Sequence, residues 1–196
     1  MDELSTWVHS RPGTNGGNTR VCWLRGSPRV STSATAALVA AKSKNEGTLA
    51  CSFFFSGDNP ELNHSHYFAL AIAHGLASYS EDLQRLINGI IRSRPQLLDA
   101  TMEEQFAHLV TQPLLQWNAP GNPADPLVVI NGLDECTEAK DQRGVLSVVA
   151  SAVETGLPLQ FLICSQPNDH LWDLFNNPSR TKFLLLDGDA IAHRRV

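Results

Sequence analysis

Short, largely apolar runs recur along the chain, with more polar segments between them. The residues within a run do not alternate cleanly between apolar and polar, which is typical of strands covered on both faces of a sheet. Each run is a few residues long, the usual length of a buried strand. The predicted strands are Val21–Leu24, Leu49–Phe55, Leu127–Ile130, Leu159–Cys164 and Phe183–Leu186.

The segments between these runs carry apolar residues at the 3.6-residue spacing of amphipathic helices. Ser33–Lys42 is rich in alanine and is followed by Asn45 and Gly47, residues that are common at helix ends. Thr101 and Glu104 have the spacing of a capping box, which satisfies backbone N–H groups at a helix start. The other predicted helical faces lie in Tyr67–Leu76, Leu83–Ile91 and Val145–Ala152.

Strands that alternate with helices need crossover connections, which place the strands parallel in one sheet. The sequence therefore predicts an α/β fold with a five-stranded, mostly parallel sheet and helices on both faces. We expect a single domain with its core at about 19–187, an N-terminal flank at 1–18 and a proline-rich loop at 118–126. Such sheets bind ligands beyond the carboxyl ends of their strands, so the residues after each run are candidates for a site.

Composition narrows the class of protein. The chain has 196 residues, enough for a domain with a full core, and its apolar runs are too short to span a bilayer. The start of the chain lacks the apolar segment of a signal peptide, and the four cysteines form no C-x-x-C pair. We therefore expect buried, reduced thiols in a cytoplasmic protein without a membrane partner. The net charge of −5 argues against nucleic acid as a partner.

The first predicted strand is followed by a segment with the outline of a phosphate-binding loop. A working loop has the pattern G-x-x-x-x-G-K-[ST], in which backbone N–H groups surround the phosphates and the Lys contacts them. Here Ser31 stands at the second Gly, Thr32 at the Lys, and Ser33 at the final Ser or Thr. Alone, the segment fits either a phosphate loop that has lost its chemistry or an ordinary strand, turn and helix. Its residues are Gly26, Ser27, Pro28, Arg29, Val30, Ser31, Thr32 and Ser33.

Polar residues also follow the third and fourth predicted strands. An apolar run that ends in an acid is how phosphate-loop enzymes hold magnesium beside the phosphates. In LVVINGLDEC this place is taken by Asn131, and Asp134 and Glu135 follow within four residues. The alternative interpretation is a strand followed by a solvated acidic turn. In FLICSQPND, Gln166 comes just after the fourth strand and carries little signal alone.

His64 and His66 form an H-x-H pair in the stretch NHSHYF. Zinc sites need further ligands at suitable spacing, and no third ligand with a convincing spacing accompanies this pair. A solvated loop is therefore the simpler interpretation.

In their order along the chain, the motifs resemble the NACHT-type signalling NTPases, and in particular fungal proteins whose domain is close to the N-terminal region of nephrocystin-type proteins. The similar stretches are CWLRGSPRVSTS, SFFFSGD, EEQFAHLVTQPLLQ, VVINGLDEC and FLICSQPN. The resemblance covers roughly Leu4–Phe175 and implies a P-loop NTPase core with ATP or GTP and Mg²⁺ as cofactors.

The resemblance also implies roles for single residues. The loop 26–33 would contact the nucleotide, with Gln166 beside it. Ser33 and Asn131 would stand at the magnesium ion. Asp134 and Glu135 would occupy the positions of the family's catalytic acids. Glu135 matches the acid that activates water in the family.

The departures from the family pattern concern the residues that carry charge. The family's phosphate-loop Lys matches Thr32, its magnesium Asp matches Asn131, and the Arg thought to sense the γ-phosphate matches Gln166. Its flexible glycines match Arg29 and Ser31, which occupy positive φ angles only at a cost. The positions that would face a nucleotide have changed together, while the apolar framework remains.

The resemblance and these departures predict a degenerate nucleotide-binding domain of an NLR-like signalling protein. We expect it not to hydrolyse nucleotide and to act as a binding or interaction module, with protein partners or self-association. One alternative is a switch that binds ATP or GTP weakly at a helix N-terminus, with Arg29 supplying the missing charge. Another is an inactive truncated remnant, because the family's lid and winged-helix regions have no counterpart in these 196 residues.

Overall fold

The computed structural model describes residues 2–9, 19–27, 32–117, 125–167 and 183–188. Within these ranges one sheet is formed by β1 (Val21–Arg25), β2 (Leu49–Phe54), β3 (Leu127–Asn131), β4 (Gln160–Ser165) and β5 (Phe183–Asp187). The order across the sheet is β2-β3-β4-β1-β5, and each neighbouring pair is parallel. The predicted parallel α/β fold is confirmed, and each strand end lies within one residue of its prediction.

Helices cover both faces of the sheet, as predicted. The chain runs from β1 to the far edge at β2, returns through β3 and β4, and then passes β1 to form β5 at the other edge. Crossovers between parallel strands are right-handed, so the outward and the returning connections pass over opposite faces. One face carries α1 (Asp2–His9) and α2 (Thr32–Asn45). The opposite face carries α3 (Phe68–Tyr79), α4 (Glu81–Ser93), α5 (Met102–Phe106), α6 (Gln112–Gln116) and α7 (Ala139–Glu154).

Successive strand residues enter different cores, because side chains alternate between the faces of a sheet. Cys22 and Val129 pack with Ala36 and Ala40 of α2. The core under α3–α7 takes in the neighbouring strand residues Trp23, Ile130, Phe161 and Ile163. Asn131 continues the alternation of Leu127 and Val129, so its side chain faces α2. This register decides which helix the polar end of β3 meets.

The packing of α3 against β2 depends on Gly75. A Cβ at this position would lie 2.2 Å from the carbonyl oxygen of Ala50, far inside van der Waals contact. The absence of a side chain lets the helix approach the strand backbone. The predicted apolar stripe of this helix, Phe68, Ile72 and Leu76, is fully buried.

The helix α1 lies inside the predicted flank at 1–18 and packs on the sheet face that carries α2. Its three apolar side chains, Leu4, Trp7 and Val8, are buried. The indole N–H of Trp7 donates to the carbonyl oxygen of Thr19 at 2.7 Å, which joins the helix to the approach to β1. Within the described ranges, every helix is too short or too polar to cross a bilayer.

The segment from Met102 to Gln116 follows one helical path with a wider turn in the middle. Thr101 Oγ1 accepts a hydrogen bond from the N–H of Glu104 at 3.3 Å, which is the hydroxyl half of the predicted capping box. Ala107–Thr111 is a π-helix, and the Gln112 N–H donates to the carbonyl of Ala107. Pro113 lacks an N–H and its ring crowds the carbonyl four residues earlier, which gives a physical reason for the wider turn.

All four cysteines are free and buried, as predicted. Burial raises the pKa of Cys51 and of Cys164 to about 12 and that of Cys136 to about 11. It also raises the pKa of Cys22. The thiols are therefore protonated at neutral pH and behave as small apolar side chains.

Candidate functional site

The candidate residues lie at the carboxyl edge of the sheet, where the parallel strands end together. The chain leaves β1 in one direction across the sheet and leaves β4 in the other, so these neighbouring strands form a topological switch point. Backbone hydrogen bonds between neighbouring strands continue for one residue beyond the ends of β1 and β3. The N–H of Gly26 donates to the carbonyl of Ser165 at 3.4 Å, and the N–H of Gly132 donates to that of Cys164 at 2.9 Å. The ends of β1, β3 and β4 therefore meet at one place.

The loop after β1 is described at its two ends. Gly26 is buried and Ser27 is half-buried, while Pro28, Arg29, Val30 and Ser31 lie outside the described residues. Thr32 begins α2 with its side chain buried, at 8 % exposure, and Ser33 is exposed. The first turn of α2 contains no acidic residue, so its N–H groups form a positive end without an internal counter-charge.

Asn131 and Ser33, which are 98 residues apart in sequence, meet in the structure. The amide nitrogen Nδ2 of Asn131 donates a hydrogen bond to Ser33 Oγ at 3.1 Å. Asn131 is only 4 % exposed, and its Oδ1 atom has no hydrogen-bond partner among the described residues. The contact ties the end of β3 to the first turn of α2, which is where the family resemblance places a magnesium ion.

The residues at this point do not fit a magnesium ion. Mg²⁺ is a hard cation that takes oxygen ligands in octahedral geometry and usually binds one or two carboxylates. Asn131 is neutral, and it directs N–H hydrogens toward the hydroxyl that would be the second protein ligand. The same position suits a hydrogen bond between two neutral side chains.

Asp134 and Glu135 follow β3 in a 3₁₀ turn, Leu133–Glu135, which we call the LDE turn. Asp134 Oδ1 accepts a hydrogen bond from the backbone N–H of Gln166 at 3.1 Å. Glu135 Oε2 accepts one from the backbone N–H of Gly57, also at 3.1 Å. Partial burial raises the pKa of Asp134 above its ordinary value, against the lowering effect of the Gln166 N–H. Each carboxylate therefore contacts the loop after a strand that neighbours β3.

Not every predicted site residue contributes through its side chain. The exposed Gln166 takes part through its backbone N–H. Further contacts at this edge were not predicted. The indole N–H of Trp23 donates to Ser165 Oγ at 2.8 Å, and Arg25 pairs with Asp187 across β1 and β5, with 3.2 Å between Nη2 and Oδ2. Arg25 and Asp187 are opposite charges that directly follow the apolar runs of β1 and β5, so the sequence contained a signal from which this ion pair could have been predicted.

The histidine pair lies elsewhere, beside an open cavity of about 460 Å³. His64 Nδ1 accepts a hydrogen bond from the backbone N–H of His66 at 3.3 Å. Tyr67, Thr101 and Asp141 also line the cavity. In the described part of the chain, no group of three His, Cys, Asp or Glu side chains is arranged to hold a metal ion.

The parallel sheet, its switch point and the polar contacts at the carboxyl edge define an α/β domain with one continuous parallel sheet. The family model for the N-terminal region of nephrocystin 3 matches residues 2–166. The chain therefore belongs to the nephrocystin 3 N-terminal family, as its sequence motifs predicted. A comparison with curated proteins finds no match to the chain.

Proposed function

We propose that the chain is a degenerate NACHT-like P-loop domain that does not hydrolyse nucleotide and acts as a binding module for other proteins. The observation that carries the proposal is the hydrogen bond from Asn131 Nδ2 to Ser33 Oγ at 3.1 Å. In the family that the sequence resembles, these positions hold a magnesium ion. Here they are joined directly by neutral groups.

The replacement of the phosphate-loop Lys by Thr32 weakens any nucleotide site further. A hydrogen bond to a charged group contributes about 1.5–3 kcal/mol, so its loss lowers phosphate affinity by roughly one to two orders of magnitude. Thr32 is buried at the start of α2 and has no charge to offer. Gln166 likewise provides no cation at the end of β4.

Hydrolysis suffers more than binding. Phosphoryl transfer depends almost wholly on positioning and on stabilising the developing charge. Glu135 matches the water-activating acid of the family, but its carboxylate accepts a hydrogen bond from the Gly57 N–H. Without the Lys and the magnesium Asp, no phosphate is positioned for attack by a water that this acid would activate.

We also propose protein partners, self-association included, and a cytoplasmic location. The net charge of −5 disfavours nucleic acid, and the free, buried thiols suit a reducing compartment. The parallel sheet would serve as a rigid scaffold for loops that contact a partner. This function needs the fold but not the nucleotide chemistry.

Calorimetric titration with ATP and with GTP, each with and without Mg²⁺, tests the proposal. We expect no saturable binding at nucleotide concentrations below about 0.1 mM and no effect of Mg²⁺. A parallel assay should give no ATPase or GTPase activity above that of a Glu135→Ala control. Tight, magnesium-dependent binding, or turnover that disappears in the Glu135→Ala variant, would overturn it.

One observation favours a second candidate, a weak ATP- or GTP-binding switch. The first turn of α2 lacks acidic residues, and the exposed hydroxyl of Ser33 lies within it. A helix N-terminus of this kind attracts anions, and Arg29 could add a positive charge. Binding that is measurable but independent of Mg²⁺, and lost in Arg29→Ala, would favour the switch. Complete absence of both nucleotide and protein binding would favour an inactive remnant.

A further inference from the structure

We infer that Asp134 and Glu135 are positioning residues that hold the loops after β2 and β4 to the LDE turn. This role at the carboxyl edge is the same whether or not the protein binds nucleotide. It gives the acids of the turn a function that needs neither phosphate nor metal.

The order of the strands makes such a double attachment possible. β3 lies between β2 and β4 in the sheet, so the turn that follows it has one neighbouring loop on each side. Glu135 reaches toward the loop of β2 and binds the N–H of Gly57. Asp134 reaches toward the loop of β4 and binds the N–H of Gln166. One carboxylate therefore serves each side.

The backbone of the turn directs the two carboxylates. Gly132 has a φ of +69°, a left-handed conformation that favours glycine, and it starts the turn directly after β3. A Cβ at this position would lie 3.0 Å from the carbonyl oxygen of Phe55 and 3.2 Å from Glu135 Oε1. The turn therefore sits close against the end of β2, within reach of the Gly57 N–H.

Other contacts join the same segments and support a structural purpose. Both the N–H and the hydroxyl of Thr137 donate to the carbonyl of Asn63, at 2.9 and 3.0 Å. Asp141 Oδ2 accepts from the N–H of Ser65 at 2.9 Å. The segment after β3 thus binds the loop after β2 at three successive places, and Glu135 is the first of them.

The two attachments should differ in strength. Asp134 is half-buried, whereas Glu135 is exposed, so water competes more strongly for the Glu135 carboxylate. Hydrogen bonds to charged groups stabilise more when they are shielded from solvent. The loop of β4 should therefore be held more firmly than the loop of β2.

Amide hydrogen exchange of the ¹⁵N-labelled protein, measured residue by residue, tests the inference. Asp134→Ala should speed exchange of the Gln166 amide by about tenfold and leave Gly57 unchanged. Glu135→Ala should speed exchange of the Gly57 amide by about threefold and leave Gln166 unchanged. In both variants the amide of Leu162 in β4 should keep its protection, which reports an intact sheet.

The matched controls are Asp134→Asn and Glu135→Gln, which keep an oxygen acceptor of nearly the same shape. These variants should retain most of the protection, and the amide proton shifts of Gly57 and Gln166 should stay near those of the native chain. Unchanged exchange in both alanine variants would overturn the inference. A loss in the amide variants as large as in the alanine variants would do so as well, because it would point to charge and not to the hydrogen bond. Should an alanine variant fail to fold, Asp134→Leu or Glu135→Met takes its place, because each keeps the size of the side chain and lacks a hydrogen-bond acceptor.

Discussion

The interface of α3 with β2 and the contact between α2 and the end of β3 are both close approaches of a helix to a strand, but they are made in different ways. At Gly75 the backbones come so near that only a missing side chain fits. At Asn131 the elements are joined by one hydrogen bond between neutral side chains, and a buried acceptor atom remains without a partner among the described residues. The first contact is steric and specifies the fold. The second is polar and depends on two neutral side chains.

Breaking the steric contact should have the largest effect. We expect Gly75→Ala to lower the free energy of unfolding by about 3 kcal/mol, the upper range for overpacking a core, because the Cβ would collide with the Ala50 carbonyl. Urea denaturation followed by circular dichroism measures this change. Gly89→Ala in α4 is the matched control, since nothing lies within 4 Å of its Cβ, and it should stabilise by about 0.5–1 kcal/mol. Equal effects at both glycines would contradict the steric account.

Charging the polar contact should have the next largest effect. Asn131→Asp would place a carboxylate at a position with 4 % exposure and without a cation, so we expect a loss of about 2 kcal/mol at pH 7. The measurement is again urea denaturation. Asn88→Asp on the exposed surface of α4 controls for the added charge and should change stability by less than about 0.5 kcal/mol. A neutral result for Asn131→Asp would mean that water reaches the end of β3.

Restoring the family's residues would sharpen the comparison, because it changes the positions that would face a nucleotide and none of the apolar core residues. A variant with Arg29→Gly, Ser31→Gly, Thr32→Lys and Asn131→Asp should bind ATP more than roughly tenfold tighter than the native chain. The gain should require Mg²⁺, since the new carboxylate acts through the metal. Calorimetry with magnesium and with a chelator measures it. A folded variant that binds no tighter would mean that the loop after Gly26 is not a decayed phosphate cradle.

The smallest effect should be a change in the pH dependence of folding stability when Asp134 is replaced. Burial raises its pKa in the folded state above the ordinary value of 3.8, so the folded chain holds this proton more tightly than the unfolded chain. The stability that Asp134 contributes is present at low pH and is lost as pH rises through the raised pKa. Asp134→Asn keeps the acceptor for the Gln166 N–H and should therefore gain stability over the native chain as pH rises through the raised pKa of Asp134.

Denaturation at a series of pH values checks this prediction. Asp58→Asn, which removes an exposed carboxylate from the loop after β2, controls for the change in net charge. A difference between Asp134→Asn and the native chain that shrinks with rising pH would contradict the sign of the argument.

The sequence alone determined the strands, most helical faces and the order of motifs. Strands buried on both faces are continuous apolar runs, and helices that pack on a sheet carry apolar residues at the helical spacing. The helix α1 was less visible, since only Leu4, Trp7 and Val8 of its eight residues are apolar and buried. The wide turn at Ala107–Thr111 is a response of the backbone to Pro113 that no apolar pattern records.

Only the tertiary structure decided the partners at the carboxyl edge. Asn131 donates a hydrogen bond to Ser33, which is 98 residues away in sequence. Glu135 accepts one from the N–H of Gly57, which is 78 residues away. The sequence named Asn131, Ser33 and Glu135 as candidates, because their residue types and spacing follow a known order. It could not name the Gly57 N–H, because a backbone donor has no residue type. Such contacts depend on where the sheet brings loops together, which is a property of strand order and register.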